Sequence, residues 1–262
     1  MDDAPAGRSV GHPRHCRDNL GRDGAPDAQK RGVKPWLHKQ GCIPTVSAAY
    51  VCCREDVLHR YAAPPDPARL VICFDEWPYQ LLDDSRPPLP RQPELPVRDD
   101  YQYVRQGTGN RFGCFEPAAG RRQIVVTERR TKEDFAALMR TLVDEWYPTA
   151  TVVRVVLDNL NTHTGASLYE AFPPVEARRI LERLAFHYTP KHGSWLKIEW
   201  SVLTQQCVDR QIGAIETLRE EVASWERARN AAKATVDWRF GVGEARTTLA
   251  RLYPVTTPMA KY

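Results

Sequence analysis

The sequence predicts an α/β fold, a mixed β-sheet with flanking helices, behind a disordered N-terminal tail. Three observations carry that prediction. Leu70–Phe74 and Val152–Leu157 are short runs dominated by apolar residues, as in strands buried on both faces. From Leu70 onward a series of strands is followed by a helix and then a further strand. Met1–Lys34 is rich in Gly, Pro, Asp and Arg and nearly free of large apolar residues. Such a segment cannot bury enough surface to offset the ordering of its backbone.

The chain of 262 residues is long enough to bury a sizeable core. We divide it into a disordered and truncated N-terminal region (1–34), a linker and helix (35–67), one α/β domain (68–253) and a short tail (254–262). A net charge of +4 and a pI near 8.7 suit a polyanionic partner. Seven cysteines stand at irregular spacing without a CxxC pair, which reads as reduced thiols in the cytoplasm. No stretch approaches the ~20 apolar residues of a membrane span, so no membrane partner is expected.

In the linker, Trp36 is the expected anchor. Thr45–Tyr61 follows as a helix capped by Thr45 or Ser47, with Val46, Ala49, Tyr50, Cys53, Val57 and Tyr61 at helical spacing. Pro64, Pro65 and Pro67 end it. Leu70–Phe74 is the first strand. Tyr79–Leu82 starts the second, ahead of a Pro-rich loop. Phe112–Phe115 and Gln123–Thr127 are two more, joined through Pro117 and Gly120. Thr131 opens a helix whose buried stripe is Phe135, Leu138, Met139, Leu142, Val143 and Trp146. Val152–Leu157 is the central parallel strand. Ser167–Phe172 and Val175–Leu184 are helices split by Pro173 and Pro174, and Ala185–Tyr188 is a further strand. Thr189–Leu196 is a turn, Ile198 begins another helix, and Ala214–Lys233 is a long one. Trp238 and Phe240 fold back on the core.

Both apolar runs stop at an acid, Asp75 and Asp158. A carboxylate at a strand end is held by a stiff scaffold and still reaches the sheet edge, where open sheets bind ligands. Two such acids side by side repel unless a cation lies between them. Oxygen-only ligands with open positions suit Mg²⁺ or Mn²⁺, and a pair of such ions serves phosphoryl transfer. Glu76 points to the other strand face and serves as a supporting acid. Asn159 and His163 lie in the polar loop after Asp158 and can hydrogen-bond there.

The motifs FDE (Phe74–Glu76), LDNLNTH (Leu157–His163) and HYTPKHGSWL (His187–Leu196), in that order, resemble the DDE-type transposases of bacterial insertion sequences, on the branch related to mariner elements. The resemblance covers roughly Gly32 to Tyr253. It implies a ribonuclease-H-like core, two divalent ions on Asp75, Asp158 and a third acid, and DNA cleavage followed by strand transfer. It also implies a homodimer on DNA, with element ends and target as partners, in the bacterial nucleoid. His163 corresponds to the family's loop histidine, and Lys191 and His192 are placed to touch the DNA backbone.

The chain departs from the family in three places. The helix-turn-helix modules that precede the catalytic part in relatives have no counterpart in Met1–Lys34. A tryptophan usual in the linker is Gly41 here. The stretch after Trp195 is about three residues shorter than in relatives, less than the ~3.6 residues of one helical turn. The family's catalytic Glu therefore falls at Trp200 counted forward and at Lys197 counted back. On a helix turning about 100° per residue, Glu199 lies between Val202 and Leu203, whereas Lys197 lies nearly opposite. Glu199 is thus the expected substitute, facing inward beside Asp75 and Asp158. Two other readings compete with an active transposase: a remnant that folds and binds DNA or a full-length partner without catalysis, and a different metal-dependent nuclease on the same fold.

Overall fold

The computed structural model describes residues 47–86, 102–190, 197–235, 240–250 and 253. The expectations for Met1–Lys34, Trp36, Lys191, His192, Trp238 and the tail 254–262 lie outside the described residues.

Helix α1, Ala48–Ala62, begins at Ser47, whose hydroxyl accepts from the Tyr50 N–H. Five strands follow: β1 (Val71–Asp84), β2 (Tyr103–Glu116), β3 (Arg121–Thr127), β4 (Val153–Leu157) and β5 (Leu184–Tyr188). Their order across the sheet is β3-β2-β1-β4-β5. The first three form an antiparallel meander, and β4 and β5 run parallel to β1. With helices on both faces, this is the ribonuclease-H-like arrangement expected from the sequence.

One strand differs from expectation. Val71–Phe74 and Tyr79–Leu82 belong to a single strand of 14 residues, Val71–Asp84, that runs through Trp77 and Pro78. The pairing of β4 with β1 covers only Val71–Cys73. Pro78 therefore lies where β1 has one open side, a position that tolerates a missing N–H. Beyond the rest of the sheet, β1 and β2 continue as a two-stranded ribbon.

Alternation along β1 divides the interior in two. Ile72 and Phe74 join a core with Phe112, Phe135, Met139 and Leu157. That core is covered by α2 (Lys132–Thr141), α3 (Gly165–Ala171) and α4 (Pro174–Glu182). Thr131 caps α2 in a capping box with Asp134, a device worth about 1 kcal/mol. The helix continues as a π-helical turn, Leu142–Trp146, which keeps Leu142 and Val143 fully buried. On the other face, Cys73, Leu81, Phe115 and Val126 meet Trp200, Leu203, Leu218, Val222 and Trp225. Those residues come from α5 (Lys197–Leu203) and α6 (Ile215–Ala231). A last helix, α7 (Val242–Thr248), reaches back to α1 through Arg246 and Glu55. Each fully buried large side chain contributes roughly 1.5–3 kcal/mol, so both cores are substantial.

The β2–β3 turn needs its glycine. Gly120 has φ +64°, and a Cβ there would lie 3.0 Å from the backbone of Lys233. Among the described residues, no helix is long and apolar enough to cross a membrane.

Candidate functional site

β1 and β4 are neighbours in parallel register, with Cys73 opposite Val156. Continuing that register by two residues brings Asp75 level with Asp158, one residue beyond the end of β4. Asp75 alternates with Phe74 and so belongs to the Cys73 face of the sheet. Its Oδ1 accepts the Glu76 N–H at 2.9 Å. Asp75 is buried, whereas the Asp158 side chain is 37% exposed, so one acid is enclosed and the other open to an incoming ligand.

His163 ties this edge together. Its Nδ1 lies 2.6 Å from Asp158 Oδ1, and its Nε2 lies 3.6 Å from Glu76 Oε2, beyond hydrogen-bond reach. Glu76 Oε1 in turn accepts from Arg130 at 3.1 Å. The result is a row of alternating groups: Arg130, Glu76, His163, Asp158. The ring of His163 is fully buried against Phe74 and Phe135, with centroids 5.1 and 5.0 Å away. Its carbonyl accepts from the Tyr188 hydroxyl, and its N–H donates to Leu160 O. Burial works against a charge on this ring. The hydrogen bond to Asp158 and the charges of Asp158 and Glu76 outweigh it and push the pKa up to about 9. A cationic His163 holds Oδ1 of Asp158, and among the described residues no hydrogen bond is made to its other oxygen. Asn159 is exposed at the start of the loop.

Glu199 faces inward, as its helical position requires, and the cation it meets is a guanidinium. Arg122 Nε and Nη2 donate to its two oxygens at 2.8 and 2.9 Å. Arg229 stands 3.7 Å from Oε1. Arg122 itself is tied to Gly120 O and Ala234 O, and its backbone is clasped by Asn230. Arg122 belongs to the cross-strand row of Phe115 and Cys73, two residues short of Asp75 along β1. Sequence reasoning did not find Arg122 or Arg130. Alternation could have assigned one residue of the Arg121–Arg122 pair to the buried face, but not its acid partner.

The donor set suits a hard divalent cation. Mg²⁺ is commonly held by one or two carboxylates together with substrate phosphates and water, so Asp75 and Asp158 suffice in kind. Among the described residues, no group of three or more His, Cys, Asp and Glu side chains is arranged to hold a metal ion.

Comparison with known proteins gives a family match over residues 70–219, to the DDE superfamily endonuclease model. No curated protein matches the chain. Solved structures similar to it include the Mos1 mariner paired end complex with Mn, at 11% identity and a TM-score of 0.46, covering 87% of this chain and 78% of that one. The Mos1 transposase paired-end complex with left transposon end is 12% identical, with a TM-score of 0.47, and the match covers 80% of this chain and 65% of that one. For the Mos1 strand transfer complex the values are 11%, 0.48, 78% and 62%.

Proposed function

Because the chain belongs to the DDE superfamily endonucleases, we propose that it cuts DNA at the ends of a mobile element and joins the freed end to target DNA. The observation that supports this reading is the parallel pairing of β1 with β4, whose register, continued two residues past Cys73 and Val156, runs to Asp75 and Asp158 at one end of the sheet. The acids would hold two divalent ions, Mg²⁺ or Mn²⁺. When bound, such ions polarise the phosphodiester and stabilise the attacking and leaving oxygens.

The chain's own residues have separate tasks. Asp75, fixed by the Glu76 N–H, presents a carboxylate from a buried strand. Asp158 presents one oxygen while His163 holds the other. Glu76 adds a favourable charge beside the imidazole, and Arg130 holds Glu76 in place. In the first step a water oxygen attacks the scissile phosphorus, and the element's 3′-oxygen leaves and takes up a proton. In the second step that 3′-hydroxyl attacks a target phosphodiester, and the target's own 3′-oxygen leaves. Glu199 joins the acids only by exchanging Arg122 for an ion. Lys191 and His192 would touch the backbone of the bound strand. The dimer on DNA and the bacterial insertion-sequence setting belong to the same proposal.

The deciding experiment is nicking of a duplex carrying the element's ends, with Mn²⁺, by the full chain and by Asp158→Asn. Nicking by the wild type alone is the expected result. A wild type that binds Mn²⁺ and cuts nothing overturns the reading in favour of a DNA-binding remnant. Sedimentation with and without duplex tests the dimer.

A further inference from the structure

Among the described residues Arg111 is the largest fully buried side chain, 2% exposed, on the same sheet face as Asp75. It alternates on β2 with Phe112, whose side chain enters the opposite core. Its cross-strand partner is Trp77, one step beyond the Asp75–Gly113 pair. Same-face neighbours along a strand are about 7 Å apart. The guanidinium lies between two rings, 5.2 Å from that of Tyr79 and 5.5 Å from that of Trp200.

What sets this place apart is its unmet donors. Arg111 Nε and Nη1 and Trp200 Nε1 are all buried, and none has a hydrogen-bond partner among the described residues. Buried polar groups of this kind are nearly always satisfied, so three on two adjacent side chains call for a partner. All three are donors and one group is a cation, so the complement is an anionic acceptor. Burial pulls the Arg111 pKa down to about 10, which leaves it charged at neutral pH. Carboxylates nearby do not meet this need: Glu199 is bound to Arg122, and Glu226 accepts from the Ile124 N–H. The backbone beside the place is also irregular, since α5 continues as a π-helical turn, Thr204–Val208.

We propose that Arg111 and Trp200 form a phosphate subsite, which takes a backbone phosphate of the DNA strand passing Asp75. The proposal rests on the DNA-cutting reading for its choice of ligand, because a free phosphate ion offers the same oxygens. Half-buried Tyr79 is the outer wall; its hydroxyl donates to Arg210 O, and entry of the oxyanion requires that bond to break and the side chain to rotate. Trp77, 41% exposed across the strand from Arg111, marks the open side. The subsite gives this chain a sequence-independent grip near the acids. It also gives the buried indole N–H of Trp200 an acceptor.

The test uses the full chain in EDTA, so that no ion-dependent step contributes. The indole N–H resonance of Trp200, identified by its loss in Trp200→Phe, is followed by NMR. The two probes are inorganic phosphate and a short single-stranded oligonucleotide of mixed sequence. The resonance is expected to shift and saturate with both probes in the wild type, and with neither in Arg111→Met. For the oligonucleotide, the slope of log affinity against log salt is expected to fall by about 0.7 in Arg111→Met, one phosphate contact on a single strand. Arg111→Lys keeps the charge and should keep the slope. Trp200→Phe retains the ring and should weaken oligonucleotide binding several-fold, which tests the subsite even if Arg111→Met does not fold. A Trp200 resonance unmoved by either probe means that the donors are merely hydrated, and overturns the proposal. A response to inorganic phosphate alone, with an unchanged salt slope, overturns the DNA assignment and leaves a free-anion site. Failure of Mn²⁺-dependent nicking with these binding results intact counts against the proposed function and not against the subsite.

Discussion

Arg122 donates to both carboxylate oxygens of Glu199, and neither side chain is more than 11% exposed. Removing one partner of such a pair leaves an uncompensated buried charge. Glu199→Ala should therefore lower unfolding stability by about 3–5 kcal/mol. Glu199→Met with Arg122→Met together should cost far less than the two single changes summed, because no lone charge remains. Urea unfolding of the wild type, Glu199→Ala, the two single Met variants and the double Met variant checks this. A loss below about 1 kcal/mol in Glu199→Ala would show that the carboxylate is not committed to Arg122.

Asp75→Asn and Asp158→Asn should each abolish ion-dependent nicking and leave the fold intact. Each variant should also lose the rise in melting temperature that Mn²⁺ gives the wild type, since only a ligand bound to the native state stabilises it. Adding EDTA should remove that rise from the wild type. Melting curves with and without Mn²⁺ separate loss of ion binding from loss of a later step.

Gly120→Ala should destabilise the protein by at least 1 kcal/mol. The left-handed backbone costs an L residue roughly 1–2 kcal/mol. The new methyl would also press on the backbone of Lys233 and Ala234. Equal unfolding midpoints for variant and wild type would contradict this.

Asp56 gives an acid-side test. Burial raises its pKa, but the hydrogen bond from His187 and the charge of Arg60 outweigh burial and hold it below the usual carboxylate range. A depressed folded value means stability present above the unfolded pKa of about 3.9 and lost as pH falls through the folded one. Asp56→Asn should therefore be less stable than wild type at neutral pH, and the gap should close below about pH 4. A gap that persists at pH 2 would assign the effect to packing.

The strands carrying Asp75 and Asp158 were legible because a strand buried on both faces needs an unbroken apolar run, and each run stops abruptly at an acid. The helix capped by Thr131 was legible for the same kind of reason, since its apolar stripe and its capping residues agree. The ion pair of Arg122 and Glu199 was not legible, because its members are 77 residues apart and only the register of β3 and the position of α5 join them. Arg111 was passed over because a charged residue after Asn110 resembles a solvated turn, and nothing local reveals that Tyr79 and Trp200 close over it. The single long β1 was missed because Pro78 ordinarily argues against a strand interior, whereas the open side of this strand removes the objection.

Helix α1 has a consequence for the order in which the chain is made. Asp56 finds its partner His187 only 131 residues later, and Glu55 meets Arg246 only after 191. At synthesis rates of about 5–20 residues per second, α1 waits on the order of ten seconds for its strand. Through that interval Val57 and Leu58, fully enclosed in the finished protein, lack the cover that β5 gives α1. A ribosome-bound intermediate ending before β5 should thus be a ready client for a chaperone that grips short apolar helices.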